Sequence, residues 1–371
     1  MHTISKGKVL IIGGTGHMGV YLCGILADMG YEVVCTSRKR YGVDNGVRYR
    51  CGDGLDIGFI SQTIEIEKPD AIVDFMHYST EQFRERFQLL LSKTKQYLFL
   101  SSYRVYADES PLKEDSPQLL DTLKDADYLR TDEYALAKSR QESLLRKSGY
   151  KNWTILRPSI IYSHECFKLG CLEANIVCYR ALRGLPIVIP KEMLAKRTAL
   201  TWGKDAALLI ARLVLNEKAM GEDFIVSSSE HLTWSDVVKV YSDVIGLRIN
   251  YVSLEQYCGL CNRYQVLYDR MFDRCVDNSK ILDATLTKHS ELIPLKEGLS
   301  SELKQFARFP HYRGINIKQN AIIDKLCGTV IPLNELPFKL RILYYKEKYS
   351  AICKFYDVAL RVKHLLEGKA G

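Results

Sequence analysis

The chain has 371 residues, 47% of them apolar and 26% charged, with a formal net charge of +8. That length supplies a full hydrophobic core in one large domain or two small ones, and the near-average composition excludes disordered, collagen-like and coiled-coil architectures. No apolar run reaches the roughly 18 residues of a membrane span, and the N-terminus lacks the apolar stretch of a signal peptide, so a cytoplasmic protein is expected. Eleven scattered cysteines suit a reducing compartment, where a free thiol acts as a small hydrophobe. Cys258 and Cys261 form a C-x-x-C with no second pair at ligand spacing, so no metal site is predicted. From residue 339 to 371, eight Lys/Arg face three Asp/Glu. The rest of the chain is nearly balanced, which argues against a nucleic-acid partner.

Taken in chain order, short β-branched runs alternate with helical patterns, the signature of βαβ units and a doubly wound parallel sheet. Strands are predicted at 8–12, 32–36, 47–51, 71–75, 97–101, 153–157 and 224–226. Helices are predicted at 17–29, closed by Gly30, and at 80–93, 131–147 and 205–215. A dinucleotide-binding domain is therefore expected over 1–165, completed by 201–228. Residues 166–200 and 229–310 break the alternation and should form a smaller mixed lobe over the carboxyl ends of the strands, where ligands bind in open α/β sheets. Residues 311–371 read as a basic helical extension. Within it, Leu340, Leu343, Tyr344, Ile352, Phe355, Tyr356 and Ala359 recur at helical spacing. That pattern describes either a hairpin packed on the domain or a dimer interface, or else a basic amphipathic helix on an anionic membrane surface.

Gly13, Gly16 and Gly19 separate the first strand from the first helix, with Thr15, His17 and Met18 between them. This spacing gives a tight turn, close approach of the backbone to a pyrophosphate, and helix N–H donors for its oxygens. The second strand ends in Thr36-Ser37-Arg38-Lys39-Arg40, without the acid that holds the ribose hydroxyls of NAD. Arg38 can fork onto a 2′-phosphate, with Ser37 beside it, so NADP(H) is favoured and NAD(H) is the alternative. Tyr134 and Lys138 lie at i, i+4 on one helical face, and a fixed cation near a phenol makes it a usable acid/base.

Together with Ser101-Ser102-x-x-Val105-Tyr106, Gly52-Asp53, Leu156-Arg157-Pro158, Arg197…Asp205-Ala206 and Asp277-Asn278-Ser279-Lys280, these motifs make the chain resemble an extended short-chain dehydrogenase/reductase. The resemblance is to the NAD-dependent epimerase/dehydratase family and covers about residues 8–300. It implies a Rossmann-type fold with Ser102 holding the substrate oxygen and Tyr134 as acid/base. It also implies that Lys138 binds the nicotinamide ribose and lowers the tyrosine pKa. Asp53 resembles the residue that contacts the adenine amine, or else it simply forms a turn. Arg197 and Arg270 match two arginines that hold the diphosphate of a nucleotide sugar.

The chain also departs from the family. Tyr103-Arg104 replaces the Asp-Glu pair of dehydratases, which argues against dehydration and makes both residues candidate substrate contacts. Ile160 stands where an Asn often touches substrate, and His77 reads as structural. The leading expectation is a homodimeric NADPH-dependent reductase of a nucleotide-activated keto sugar in surface polysaccharide synthesis. A nucleotide-sugar epimerase with tightly held NAD(P), or a dinucleotide-binding scaffold without turnover, are the alternatives.

Overall fold

The computed structural model describes residues 5–349. Its centre is an eight-stranded sheet: β1 (Lys8–Ile12), β2 (Glu32–Ser37), β3 (Gly42–Asp44), β4 (Val47–Cys51), β5 (Ala71–Asp74), β6 (Gln96–Leu100), β7 (Trp153–Pro158) and β8 (Glu222–Val226). The strand order is β8-β7-β6-β5-β1-β2-β4-β3. Every pairing is parallel except β3 on β4. The apolar run Val9–Ile12 is fully buried, as a strand covered on both faces requires. The order of connection reverses between β1 and its neighbours β2 and β5. This places the ligand crevice at the carboxyl end of β1, in front of the glycine-rich turn.

The sequence-predicted strands all form, to within a residue or two at their ends. Three local expectations are corrected. The first helix runs Gly19–Asp28, two residues later than read, because 13–18 stay in the turn. The helix read at 80–93 is two short ones, Thr80–Arg84 and Phe87–Ser92. Between them Arg86 turns inward, donating to the Leu55 carbonyl at 3.2 Å and stacking 4.3 Å from the Tyr78 ring. The edge strand β3 was not predicted, although Asn45-Gly46 is a strong hairpin signal; both residues have positive φ, +48° and +76°, as a tight two-residue turn demands.

The smaller lobe has its own core, built from a three-stranded sheet (Ile160–Tyr162, Arg197–Trp202, His231–Thr233), the parallel pair Ile187–Pro190 and Ile249–Val252, and the helices Trp234–Ile245 and Leu295–Arg308. Tyr103, Val105 and Tyr106, which directly follow β6, belong to that core. The lobe therefore sits at the carboxyl ends of the strands, as expected. Of the C-terminal extension, helices Ile317–Cys327 and Phe338–Lys348 pack against Tyr179 in a satellite core with Ile331 and Leu336. Arg180 and Asp324 join this unit to the lobe through an ion pair at 2.8 Å in which both side chains are fully buried. The basic stretch beyond 349, including Ile352, Phe355 and Tyr356, lies outside the described residues.

Candidate active site

The glycine-rich turn is shaped by what a side chain would strike. A Cβ on Gly13, whose φ is +73°, would come 2.7 Å from the Met76 sulfur, and one on Gly19 would meet the Gly14 carbonyl oxygen at 2.5 Å. Gly16 differs, because nothing lies within 4 Å of a Cβ built there. Its backbone faces open space, as close approach by a phosphate requires. The turn is tied to the second strand by the Gly13 amide, which donates to the Thr36 hydroxyl at 2.9 Å. In front of it opens a cleft of about 500 Å³ lined by Thr15, Gly16, His17, Arg40 and Arg313, among others. Met18 is the residue preceding the helix and contributes no side-chain cap. These features fit a dinucleotide, with an open backbone cradle, a helix N-terminus and cationic walls.

At the end of β2, Ser37 accepts hydrogen bonds from the Lys39 and Arg40 amides at 3.2 and 3.0 Å and so fixes the basic loop. Arg38 is exposed and does not line the cleft. Arg40, which the sequence reading passed over, is the basic residue that lines the cleft, steadied on the Tyr49 hydroxyl at 3.3 Å and over its ring. Asp53 is exposed and accepts from the Leu55 amide at 3.0 Å, so its turn-forming reading is the one the structure displays.

Ser102, Tyr134 and Lys138 gather where β6 ends and the helix Tyr134–Arg146 begins. Ser102 starts the turn Tyr103–Val105 and accepts from the Arg104 amide at 3.2 Å. Glu133 caps the helix, accepting from the Ala135 amide at 2.9 Å, and also holds the Arg104 guanidinium at 2.8 Å. Behind this, Glu142 takes a paired hydrogen bond from the fully buried Arg157 at 2.9 and 2.7 Å, and Ser101 donates to it at 2.5 Å. The Leu156-Arg157-Pro158 motif thus locks the helix to the sheet.

Burial raises the Tyr134 pKa above its ordinary value, against the Arg104 charge and the Ser102 hydroxyl, which lower it. The phenol is therefore a protonated donor at neutral pH. The cation acting on it is Arg104, 5.2 Å from the ring centroid. This corrects the expectation for Lys138. The Lys138 ammonium is not among the groups acting on the phenol; it contacts the Met76 carbonyl at 3.4 Å and the Phe99 ring at 4.5 Å, and burial pushes it down to about 8 despite Asp74 and Glu142. His77 packs edge-on against Tyr134 with centroids 4.9 Å apart. Its place one residue beyond Met76, at the mouth of β5, is the signal that could have found it.

The substrate candidates divide. Tyr103 is only 2% exposed and accepts from Arg270 at 3.3 Å, so it supports the site from beneath. Arg270 is 3% exposed and is committed to the Asp269 carboxylate and the Gly170 carbonyl. Arg197 is half-exposed and pairs with Asp273 at 3.5 Å. Each arginine is held by a different carboxylate, so the open two-armed clamp expected from sequence is not formed in this structure. Arg104, Arg270 and Arg274 instead converge on the buried Asp269. The Nε of Arg104 is buried without a hydrogen-bond partner.

Residues 9–226 match the family model described as NAD dependent epimerase/dehydratase family. A chloroplast stem-loop binding protein of 41 kDa from Arabidopsis thaliana is 28% identical over 254 residues, covering 63% of this chain and 62% of that protein, less than two thirds of its length. A Thermus thermophilus UDP-glucose 4-epimerase solved with NAD superposes with a TM-score of 0.62 at 15% identity, over 82% of this chain and 100% of that one. A Thermotoga maritima UDP-glucose 4-epimerase solved with UDP-glucose gives 0.60 at 18%, again over 82% and 100%. At these identities the structural likenesses establish the fold. Among the described residues no helix is long and apolar enough to cross a membrane.

Proposed function

The chain belongs to the NAD dependent epimerase/dehydratase family, an NAD(P)-dependent oxidoreductase or epimerase of the short-chain dehydrogenase/reductase type, and on that premise we propose that it reduces a keto group of a nucleotide-activated sugar with NADPH. The observation that carries this reading is the grouping of Tyr134 with Ser102 and with the Arg104 guanidinium 5.2 Å from its ring, alongside a basic loop with no acid at the end of β2. When bound, the dinucleotide supplies a hydride. Tyr134 gives its proton to the carbonyl oxygen, and Ser102 orients that oxygen by hydrogen bonding. Lys138 would hold the nicotinamide ribose of that dinucleotide. Arg104 occupies the position of an eliminating acid, so reduction fits this site better than dehydration.

A nucleotide sugar as substrate is supported by the relatives solved with UDP-glucose or NAD. In this chain the accessible Arg197 would take the diphosphate, with Arg270 positioning Tyr103 beneath the site. Surface polysaccharide synthesis, in the cytoplasm and as a homodimer, is the setting this chemistry suggests. Internal epimerisation is the second reading, favoured by the same relatives. A panel of nucleotide sugars, including keto sugars, incubated with NADPH and read at the nicotinamide absorbance tests the proposal. Stoichiometric NADPH consumption is the expected result. Sugar interconversion without net consumption would establish the epimerase, and inertness towards every nucleotide sugar would refute both.

A further inference from the structure

Two clefts meet at His17. The larger one lies before the glycine-rich turn, and a second of about 330 Å³ is lined by Cys166, Lys168, Asn175 and Tyr312. Both are bordered by His17, Glu165 and Arg313. Arg313 comes from far outside the segment 9–226 that carries the family match. The chain reaches it after the helix Leu295–Arg308, and the helix Ile317–Cys327 follows, anchored by the buried Arg180–Asp324 pair. Residues 309–316 are thus tethered at both ends and run past the mouth of the dinucleotide crevice.

Glu165 fixes this crossing. Its two carboxylate oxygens take His311 Nδ1 at 2.6 Å and Arg313 Nε at 3.0 Å. Among the described residues Glu165 is the only partner of the Arg313 guanidinium, and it engages Nε alone, so the terminal nitrogens remain for another acceptor. The side chain is 66% exposed. Arg40 contributes the second guanidinium of the same cleft. His17 adds no charge at neutral pH, because burial and then the Arg313 charge push it down to about 4. Glu165, the acid lining that cleft, has both carboxylate oxygens engaged, by Arg313 and His311. The open backbone at Gly16 completes the wall. Planar forks with spare donors beside exposed amides suit a diphosphate, whose oxygens accept charge-assisted, paired hydrogen bonds.

We propose that Arg313 is a diphosphate-binding residue of the dinucleotide cleft, delivered by the C-terminal crossing to the side of the ligand that faces away from the glycine-rich turn. This rests on the nicotinamide-dinucleotide reading above. Because a nucleotide sugar also carries a diphosphate, the test separates the two sources. NADPH, ADP-ribose, adenosine 2′-monophosphate and UDP are titrated into wild type, Arg313→Ala and Arg313→Lys, with thermal melting to confirm folding. Arg313→Ala should weaken NADPH and ADP-ribose about ten- to hundredfold, the span of a lost charge-assisted contact. It should leave adenosine 2′-monophosphate, which lacks a diphosphate, unchanged, and Arg313→Lys should recover part of the loss. Unaltered NADPH affinity in a folded Arg313→Ala protein would overturn the inference, as would an equal loss on adenosine 2′-monophosphate or a loss confined to UDP. In each of those cases wild type still binds NADPH and the functional reading survives. Wild type that binds neither NADPH nor ADP-ribose removes both.

Discussion

Replacing Lys138 with Met should make the protein more stable and less active. The ammonium is 2% exposed, rests on one carbonyl at 3.4 Å and one ring face, and has its pKa lowered by burial from an ordinary 10.5 to about 8. At about 1.4 kcal/mol for each tenfold change in proton affinity, that lowering places about 3 kcal/mol of unfavourable free energy on the charged, folded form. The unfolded chain keeps this proton up to about pH 10.5 while the folded one releases it near 8. Between those values the unfolded state binds more protons, and stability rises with pH. Below pH 8 both states are charged and the full cost applies. Met has similar length and no charge, and Asp74, whose pKa burial raises, can take up a proton once its counter-ion is gone. Urea denaturation midpoints of wild type and Lys138→Met at pH 7 and pH 9.5 test this. The variant should be the more stable at pH 7, by up to about 3 kcal/mol, with the gap narrowed to about 1.4 kcal/mol at pH 9.5. Its turnover should fall sharply, the trade of stability for function seen at many catalytic sites. A variant less stable than wild type at pH 7, or a gap that ignores pH, would refute the reasoning.

Tyr134→Phe should bind dinucleotide normally yet lose about 10²–10⁴-fold in turnover, since only the phenolic proton is removed; retained turnover would place the acid elsewhere. Gly16→Ala should fold and melt like wild type while losing dinucleotide affinity in a titration. Gly19→Ala, which would press a methyl 2.5 Å from the Gly14 oxygen, should lower the melting temperature as well. Arg40→Ala should reduce the preference for NADPH over NADH more than Arg38→Ala does, because Arg40 lines the cleft and Arg38 does not. Paired cofactor titrations on the two variants decide the ranking.

The frame of the site was legible in the sequence because its signals are local. The turn Gly13–Gly19, the spacing of Tyr134 and Lys138, and the serines after β6 each depend on a few neighbouring residues, and each lies at or just beyond the carboxyl end of a strand or at the start of a helix. Side-chain direction was not legible. Whether Lys138 faces the phenol or the Met76 carbonyl is decided by Phe99, Asp74 and Glu142, which are remote in sequence. For the same reason Arg104 emerged as the cation beside Tyr134 only once Glu133 was seen to hold it. Arg270 reads from sequence like any basic residue on a helix. Its neighbour Asp269 and the distant Gly170 carbonyl withdraw it from solvent. Arg313 carried no motif at all, and only the folded path of residues 309–316 sets it before Gly16. The strands, by contrast, announced themselves through continuous β-branched runs, and the missed β3 is an exposed three-residue edge with no buried face to pattern it.

The Arg180–Asp324 pair limits how this architecture can be cut or recombined. A single Asp324→Ala change would strand the buried Arg180 guanidinium with no carboxylate to meet it. Removing one partner of such a pair typically costs about 3–5 kcal/mol, a large part of what holds an ordinary domain together. A lobe transplanted from a relative that lacks either residue would face the same deficit, so exchange between family members has to move the helix that carries Arg180 and the helix Ile317–Cys327 together. What looks in the sequence like an appendage must be engineered together with the lobe it completes.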